Sequence, residues 1–551
     1  LLPSLGGSPA AWNAAMVFFQ TLLLAGYLYS HLSLKWLGIA RHRFLHAAVM
    51  LLPLLVLPIA MPAGWSPPAE SDPTIWTLLI LAVMVGAPYF ALSTVSPTLQ
   101  HWFAHSDRPG KAEPYMLYAA GNAGSVIALL SYPFLLEPFM GLKQQAWAWA
   151  VTYFGFLVLL AMCSLKARSS HDEQITGKEE PASWSQRVRW MAYAAIPSVL
   201  LLGVTRHIGD EIASFPLLWI IPLTLYLATF IIAFGNFSGK TLGISSRIAR
   251  LLVIPVVLTL FRVNVPLLAE VLVHLGLFTA LALVLHQRLY DSRPSTQKLT
   301  EFYVFLSLGG ALGGVFVVLL APVIFDAIYE YPIAIAVALL ALQPDAESPG
   351  FIARIRSSRY AVRGVLGLCL VLATIAGVQV ASSDFIHSTA DSIRLLAAVT
   401  GLIAYVLLAR PRHYALVISA LLLAGVVVRP EGTVLQDRSF FGVLRVQQIG
   451  TETTMVHGTT IHGSQRVEIA DIAQGYYHPS GPAGATISAL QEPGAGMSIG
   501  LVGLGVGALA AAGREGDELT FYEIDPGVVK AAADPLFFSY LSDSDATISE
   551  V

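Results

Sequence analysis

Long apolar runs separated by short polar connections fill the chain up to Pro430. Runs of spanning or near-spanning length begin near Ala11, Phe44, Thr74, Tyr115, Gln145, Trp190, Phe215, Ile248, Glu270, Phe302, Tyr331, Arg363, Ile393 and His413. By the hydropathy rule this predicts about 14 transmembrane helices. Those near Ile248, Tyr331 and His413 are the shortest or are interrupted by proline. After Arg429-Pro430 the period changes. Arg438 to Gln448 and Thr453 to His457 alternate apolar and polar residues, and Thr459 to Ala470 follows a glycine-bearing turn, so these stretches read as β-strands joined by hairpins.

The last stretch carries the most specific pattern. Ile499 to Val502 is a short apolar run, consistent with a buried parallel strand. Gly503, Gly505 and Gly507 form a G-x-G-x-G turn, Ala508 to Ala512 opens a helix, and Leu519 to Tyr522 is a second strand ending in Glu523 and Asp525. That is the first β-α-β of a nucleotide-binding sheet. Its glycines let the backbone approach a ligand, its helix start offers free N–H groups, and an acid at the second strand tip can accept from both hydroxyls of a ribose. A tight strand-to-helix turn with an unused acid is the plainer alternative.

The predicted fold is therefore a polytopic α-helical membrane domain, residues 1–430, then a small β-hairpin subdomain, 431–496, then the start of a Rossmann-like α/β domain, 497–551. Within the membrane part a charged linker, 166–189, separates halves of about 1–165 and 190–430. The halves echo each other: Tyr115, Gly121 and Ala123 recur at the offsets of Tyr303, Gly309 and Ala311, after the pairs Arg108-Pro109 and Arg293-Pro294. Duplication is a transporter architecture; independent small-residue packing faces would produce the same pattern. Asn122, Glu270, His274 and the run Thr205 to Glu211 are the polar residues at or near membrane depth, read as interfacial anchors or as a binding or transport site.

Composition agrees with the membrane reading. Of 551 residues 55% are hydrophobic and only 12% charged, with a mean hydropathy of +0.66. Soluble domains carry about 25% charged residues. A net charge of −3 points away from a nucleic-acid partner. Cys163 and Cys369 sit in apolar runs and read as small core residues. His457 and His462, five apart beside a glycine, lack a third ligand nearby, so no metal is expected. The chain opens on Leu1 with no signal-peptide pattern, and Val551 falls in what reads as a third strand, so sequence is expected on either side.

The order of Gln465, Tyr477-His478, Gly503-Leu-Gly-Val-Gly507 and Tyr522-Glu523-Ile-Asp525 resembles the spermidine synthase (aminopropyltransferase) family. It is most similar to bacterial proteins that fuse a major-facilitator-type membrane domain to a spermidine synthase-like domain. Phe440-Phe441-Gly442-Val443, His457-Gly458-Thr459-Thr460, Leu5-Gly6-Gly7-Ser8-Pro9, Phe18-Phe19-Gln20 and Pro216-Leu217-Leu218-Trp219 are similar to that fused group. The resemblance implies a multi-pass protein of the bacterial inner membrane, its partners a lipid bilayer and a small-molecule amine. The implied cofactor is decarboxylated S-adenosylmethionine or S-adenosylmethionine, bound by Gly503, Gly505, Gly507, Glu523, Asp525, Gln465, Tyr477 and His478. Two departures stand out. Val506 occupies the place where the family carries an aspartate for the aminopropyl ammonium, and the family's catalytic aspartate lies on a later strand than the chain contains, so no catalytic residue is assigned.

Three functions stay open: aminopropyl transfer, methyl transfer from S-adenosylmethionine, and a non-enzymatic transporter or membrane assembly factor with a vestigial domain. Basic loops (Lys35, Arg41 and Arg43; Arg108 and Lys111; the linker; Lys240 to Arg250; Arg288 to Lys298; Arg354 to Arg363; Arg410 and Arg412) alternate with loops poor in Lys and Arg. The first set is cytoplasmic by the positive-inside rule. With 14 spans the residues after Arg429 fall outside, whereas adenosyl cofactors are made in the cytoplasm, so both sides are kept as readings.

Overall fold

The computed structural model describes residues 9–62, 73–106, 113–166, 182–212, 218–235, 241–261, 265–342, 411–427 and 429–551 apart from 459, with a few scattered positions elsewhere. The spans anticipated from Arg363 and Ile393, most of the charged linker, Cys369 and the motif residues Leu5 to Ser8, Pro216 and Leu217 lie outside the described residues. The chain divides into two compact units. One comprises Leu1–Thr205, Pro216–Leu320 and Glu330–Val427, the other Arg206–Phe215, Ala321–Tyr329 and Val428–Val551.

The first unit is helical: α1 (Pro9–Leu51), α2 (Pro73–Ser93), α3 (Val95–Ala104), α4 (Met116–Ser131), α5 (Leu142–Lys166), α6 (Trp184–His207, whose last residues enter the second unit), α7 (Ile220–Phe234), α8 (Thr241–Leu260), α9 (Leu267–Asp291), α10 (Leu299–Val315), α12 (Glu330–Leu339) and α13 (Pro411–Val427). The short α11 (Ala321–Ile324) belongs to the second. Among the described residues eight helices are long and apolar enough to cross a membrane, which makes this a multi-pass membrane protein. The 45-residue stretch Ala11–Leu55 covers two of the anticipated spans, because α1 is broken at Gly38 (φ 63°, ψ 173°), between Lys35 and Arg41. Tyr29 and His42 would stand roughly 20 Å apart on a straight helix, yet their ring centroids are 6.1 Å apart. The glycine reverses the chain.

Two expectations for this unit are revised. The small-residue stripes are not equivalent. A Cβ on Gly309 would run into the Met191 backbone, and one on Gly313 would come within 2.7 Å of the Ala195 carbonyl oxygen, so α10 packs backbone to backbone on α6. Gly121 and Gly124 of α4 face open space. Cys163 is exposed rather than a core residue; in a membrane the outer face of a helix is as apolar as its inner one, so an apolar run does not say which side a cysteine takes. Of the polar residues near membrane depth, His274 is buried and Asn122 half-buried. His274 lies between Thr259 (Nε2 to Oγ1, 3.1 Å) and Tyr331 (Nδ1 to the hydroxyl, 3.0 Å), and Asn122 donates to the Tyr118 carbonyl (2.8 Å).

The second unit begins with a four-stranded antiparallel meander, β1 (Thr433–Ser439), β2 (Gly442–Ile449), β3 (Glu452–His457) and β4 (Thr460–Arg466), paired in chain order. The alternation over Arg438 to Gln448 does not form one strand: Phe440-Phe441 makes the tight turn, with Ser439 paired to Gly442. After α14 (Pro482–Leu490) come β5 (Ser498–Val502), β6 (Glu518–Tyr522), α15 (Pro526–Ala532) and β7 (Thr547–Glu550), a parallel sheet in the order β5-β6-β7. Leu444, Val446, Met455, Leu504, Val506, Leu519, Phe521, Val528, Phe538 and Tyr540 share one core. In β5 Ile499 and Leu501 are only half-buried. Val502 is 95% exposed, so β5 is not buried on both faces as its run of apolar residues suggested.

Candidate functional site

The glycine turn leaves β5 with three residues at positive φ: Gly503 (89°), Gly505 (57°) and Gly507 (74°). Gly505 is the position that demands glycine, since a Cβ there would sit 2.8 Å from the His462 carbonyl oxygen. The turn therefore lies directly on β4. Gly503 N–H donates to the Tyr522 carbonyl (2.9 Å), tying the turn to the neighbouring strand end. The helix expected after the glycines is a five-residue 3-10 turn, Ala508–Ala512. Gly513 closes it, and the chain is then pulled back to β6 by Asp517, whose buried carboxylate accepts from Met497 N, Arg514 N and Gln491 Nε2. A full helix N-terminus with its comb of free N–H groups is not formed.

Glu523 stands at the tip of β6, against the turn. Its Oε2 accepts from Leu504 N (2.9 Å) and its Oε1 from Ile524 N and Asp525 N (2.9 Å each). The carboxylate is thus held at the glycine turn by charge-assisted bonds. Tyr477 reaches the same place from the other side: its hydroxyl lies 3.6 Å from where a Cβ on Gly505 would be. Its ring packs on Tyr476 at 4.1 Å, and burial pushes its hydroxyl pKa up. His462 completes the set. Burial lowers its pKa below the ordinary 6.5, against the opposing pull of Glu523 and Asp525, so the ring is neutral at pH 7. His457 is 5.2 Å away, ring to ring, and burial lowers it likewise, with the neighbouring His462 acting in the same direction.

The remaining anticipated residues go elsewhere. Gln465 is pinned within the fold: Oε1 accepts from Ser539 N (2.8 Å) while Nε2 donates to the Ala470 carbonyl (2.8 Å) and Ser539 Oγ (3.0 Å). Asp525 caps α15 through Gly527 N (2.9 Å), accepts from Ser439 Oγ (2.8 Å) and lies 3.5 Å from His457 Nε2. His478 is bonded locally to Ser480. Val506, where the aminopropyltransferase pattern has an aspartate, is fully buried and packs over Gly463. Among the described residues no three His, Cys, Asp or Glu side chains converge as a metal site.

Sequence reading missed a buried ionic cluster in the same unit. Arg445 of β2 pairs with Glu211, and its Nε donates to Gln436 Oε1 (3.1 Å). Arg206 pairs with Asp210 (3.2 Å) and donates to the Ser439 carbonyl (3.2 Å), while Arg438 donates to the Ala327 carbonyl. Gly458 (φ 58°) lies so close to Asp210 that a Cβ would overlap the aspartate carbonyl oxygen. The signal available was a burst of charge, Arg206 to Glu211, at the end of an apolar run; nothing in its spacing pointed to partners more than 200 residues away, as with Arg445, 234 residues on.

The site belongs to the second unit of a multi-pass membrane protein. No family model matches the chain, and neither the curated proteins nor the solved structures hold a match to it.

Proposed function

We propose that the glycine turn binds a small molecule of the adenosine-bearing sulfonium class, with Glu523 accepting from the ribose hydroxyls and Tyr477 beside it. The observation that carries this reading is Glu523 Oε2 held 2.9 Å from Leu504 N, which keeps a carboxylate against a positive-φ glycine turn. A diol arriving there exchanges backbone donors for hydroxyl donors without moving the charge. Aminopropyl transfer from decarboxylated S-adenosylmethionine is the reaction this reading leads to first, and methyl transfer from S-adenosylmethionine is the second. Buried Val506 gives the site no carboxylate with which to select an ammonium. Calorimetry of the full chain in detergent with S-adenosylmethionine, its decarboxylated form and methylthioadenosine tests the reading. Binding of the decarboxylated form in preference to the others supports aminopropyl transfer, equal binding of the two sulfonium compounds supports methyl transfer, and no binding of any removes both.

A non-enzymatic role is the second reading, favoured by the saturation of Gln465 and Asp525 with protein hydrogen bonds. Here the α/β unit is a retained fold whose work is to hold segments of a transporter or membrane assembly factor together, and the calorimetry returns no heat.

A further inference from the structure

We infer that the C-terminal α/β unit lies on the non-cytoplasmic face of the membrane. The second unit is not continuous in sequence: Val428–Val551 folds together with Arg206–Phe215 and Ala321–Tyr329. These two segments begin in the last residues of two 29-residue apolar candidate spans, Trp184–Ile212, which contains α6, and Thr296–Ile324, which contains α10. Three stretches joined by the pairs Arg445–Glu211 and Arg429–Asp326 and by the Arg438 bond to the Ala327 carbonyl must leave the bilayer on the same side, because a folded polar unit cannot straddle the hydrocarbon.

The charges at the two ends of those spans say which side that is. Before α6 the chain carries Lys166, Arg168 and Lys178, and the first turns of α6 carry Arg187 and Arg189; before and at the start of the second span it carries Arg288, Arg293 and Lys298. At the far ends Ala321–Tyr329 holds Asp326 and no Lys or Arg, and Arg206–Phe215 holds one arginine, Arg206, ion-paired to Asp210 in the same segment. Lysine and arginine near span ends fix orientation with the basic end in the cytoplasm. Both spans therefore run outward, and the segments that join the C-terminal unit emerge outside. Two spans with described ends, read separately, give the same answer.

The consequence is chemical. A ligand for the glycine turn must be present on the outer face, so a sulfonium compound made in the cytoplasm reaches it only after export, and an external nucleoside or amine solute reaches it directly. The placement itself does not rest on the proposed ligand: labelling reports the side and calorimetry reports the ligand, so either can fail alone.

The test is cysteine accessibility in the full chain, with Cys163 and Cys369 changed to serine. Ser542→Cys is in the second unit at an exposed position and Ser170→Cys is in the linker before α6. In intact cells, or spheroplasts where an outer membrane intervenes, a membrane-impermeant maleimide is expected to label Ser542→Cys fully and Ser170→Cys only after permeabilisation. The reverse pattern, or labelling of both only after permeabilisation, overturns the inference. A carrier that reacts at neither position even when permeabilised is misfolded; an alkaline phosphatase fusion after Val551 then decides, its activity supporting the placement and its inactivity overturning it.

Discussion

Glu211 and Arg445, 234 residues apart in sequence, form a hydrogen-bonded ion pair with side chains only 9% and 5% exposed. Burying two charges stabilises a fold little in net terms, but removing one partner leaves the other uncompensated and costs about 3–5 kcal/mol. Arg445→Met and Glu211→Gln are each expected to raise hydrogen exchange across 433–466 in the full-length protein by several orders of magnitude. The double variant is expected to recover most of that loss. Equal damage in the double variant would show that the pair acts through something other than mutual charge.

Gly458 is the second hold on the same segment. Gly458→Ala combines positive-φ strain of about 1–3 kcal/mol with overlap of the Asp210 carbonyl oxygen. Gly450 has a similar φ of 62° but faces open space. Gly450→Ala should therefore cost no more than the strain, and Gly458→Ala clearly more, with proteolysis between Arg206 and Phe215 rising only in the latter.

For Glu523 the expected change is in ligand affinity. A hydrogen bond to a charged group contributes about 1.5–3 kcal/mol, so Glu523→Gln should weaken binding of an adenosine-bearing ligand by roughly tenfold to a hundredfold while the circular dichroism stays unchanged. Retained affinity in a folded variant would mean that the ribose is held elsewhere.

Restoring the acid of the aminopropyltransferase pattern should not restore a site. Val506 is fully buried against Gly463, so Val506→Asp places an unpaired carboxylate in the core at a cost of more than about 3 kcal/mol. The expected result is unfolding of the second unit and loss of any ligand heat. A folded Val506→Asp variant with new affinity for decarboxylated S-adenosylmethionine would contradict this packing.

His457 and His462 set a pH dependence. Both have folded pKa values below the ordinary 6.5, chiefly through burial. The unfolded chain therefore binds more protons between the folded values and 6.5, so stability is fully present above about pH 7.5 and falls as the pH drops through 6.5. Native-state proteolysis of the second unit should speed up between pH 7.5 and 5.5. His462→Gln, which removes one titrating ring, should flatten that slope; an unchanged slope in His457→Gln and His462→Gln together would exclude the histidines as its source.

The sequence by itself determined the membrane character, the turnover of apolar runs and basic loops, the strand-rich change after Pro430 and the β-glycine turn-β order of the last stretch. Each of these is a local property, set by what a residue and its near neighbours do in lipid or water. It also put Glu523, Gly505 and Tyr477 on one short list, and the fold gathers those three around the glycine turn. Only the tertiary structure decided that Gln465 and Asp525 use their polar atoms to hold the protein together, that Val506 faces the core, and that the helix after the glycines shrinks to one 3-10 turn. Hydrogen-bond partners and burial depend on what other segments bring near, and no local pattern encodes that. The joining of Arg206–Phe215 and Ala321–Tyr329 to the C-terminal sheet is the extreme case. Its ion pairs and its close glycine approach connect residues hundreds of positions apart, and charge or φ propensity read along the chain gives no hint of which of many distant residues will answer them.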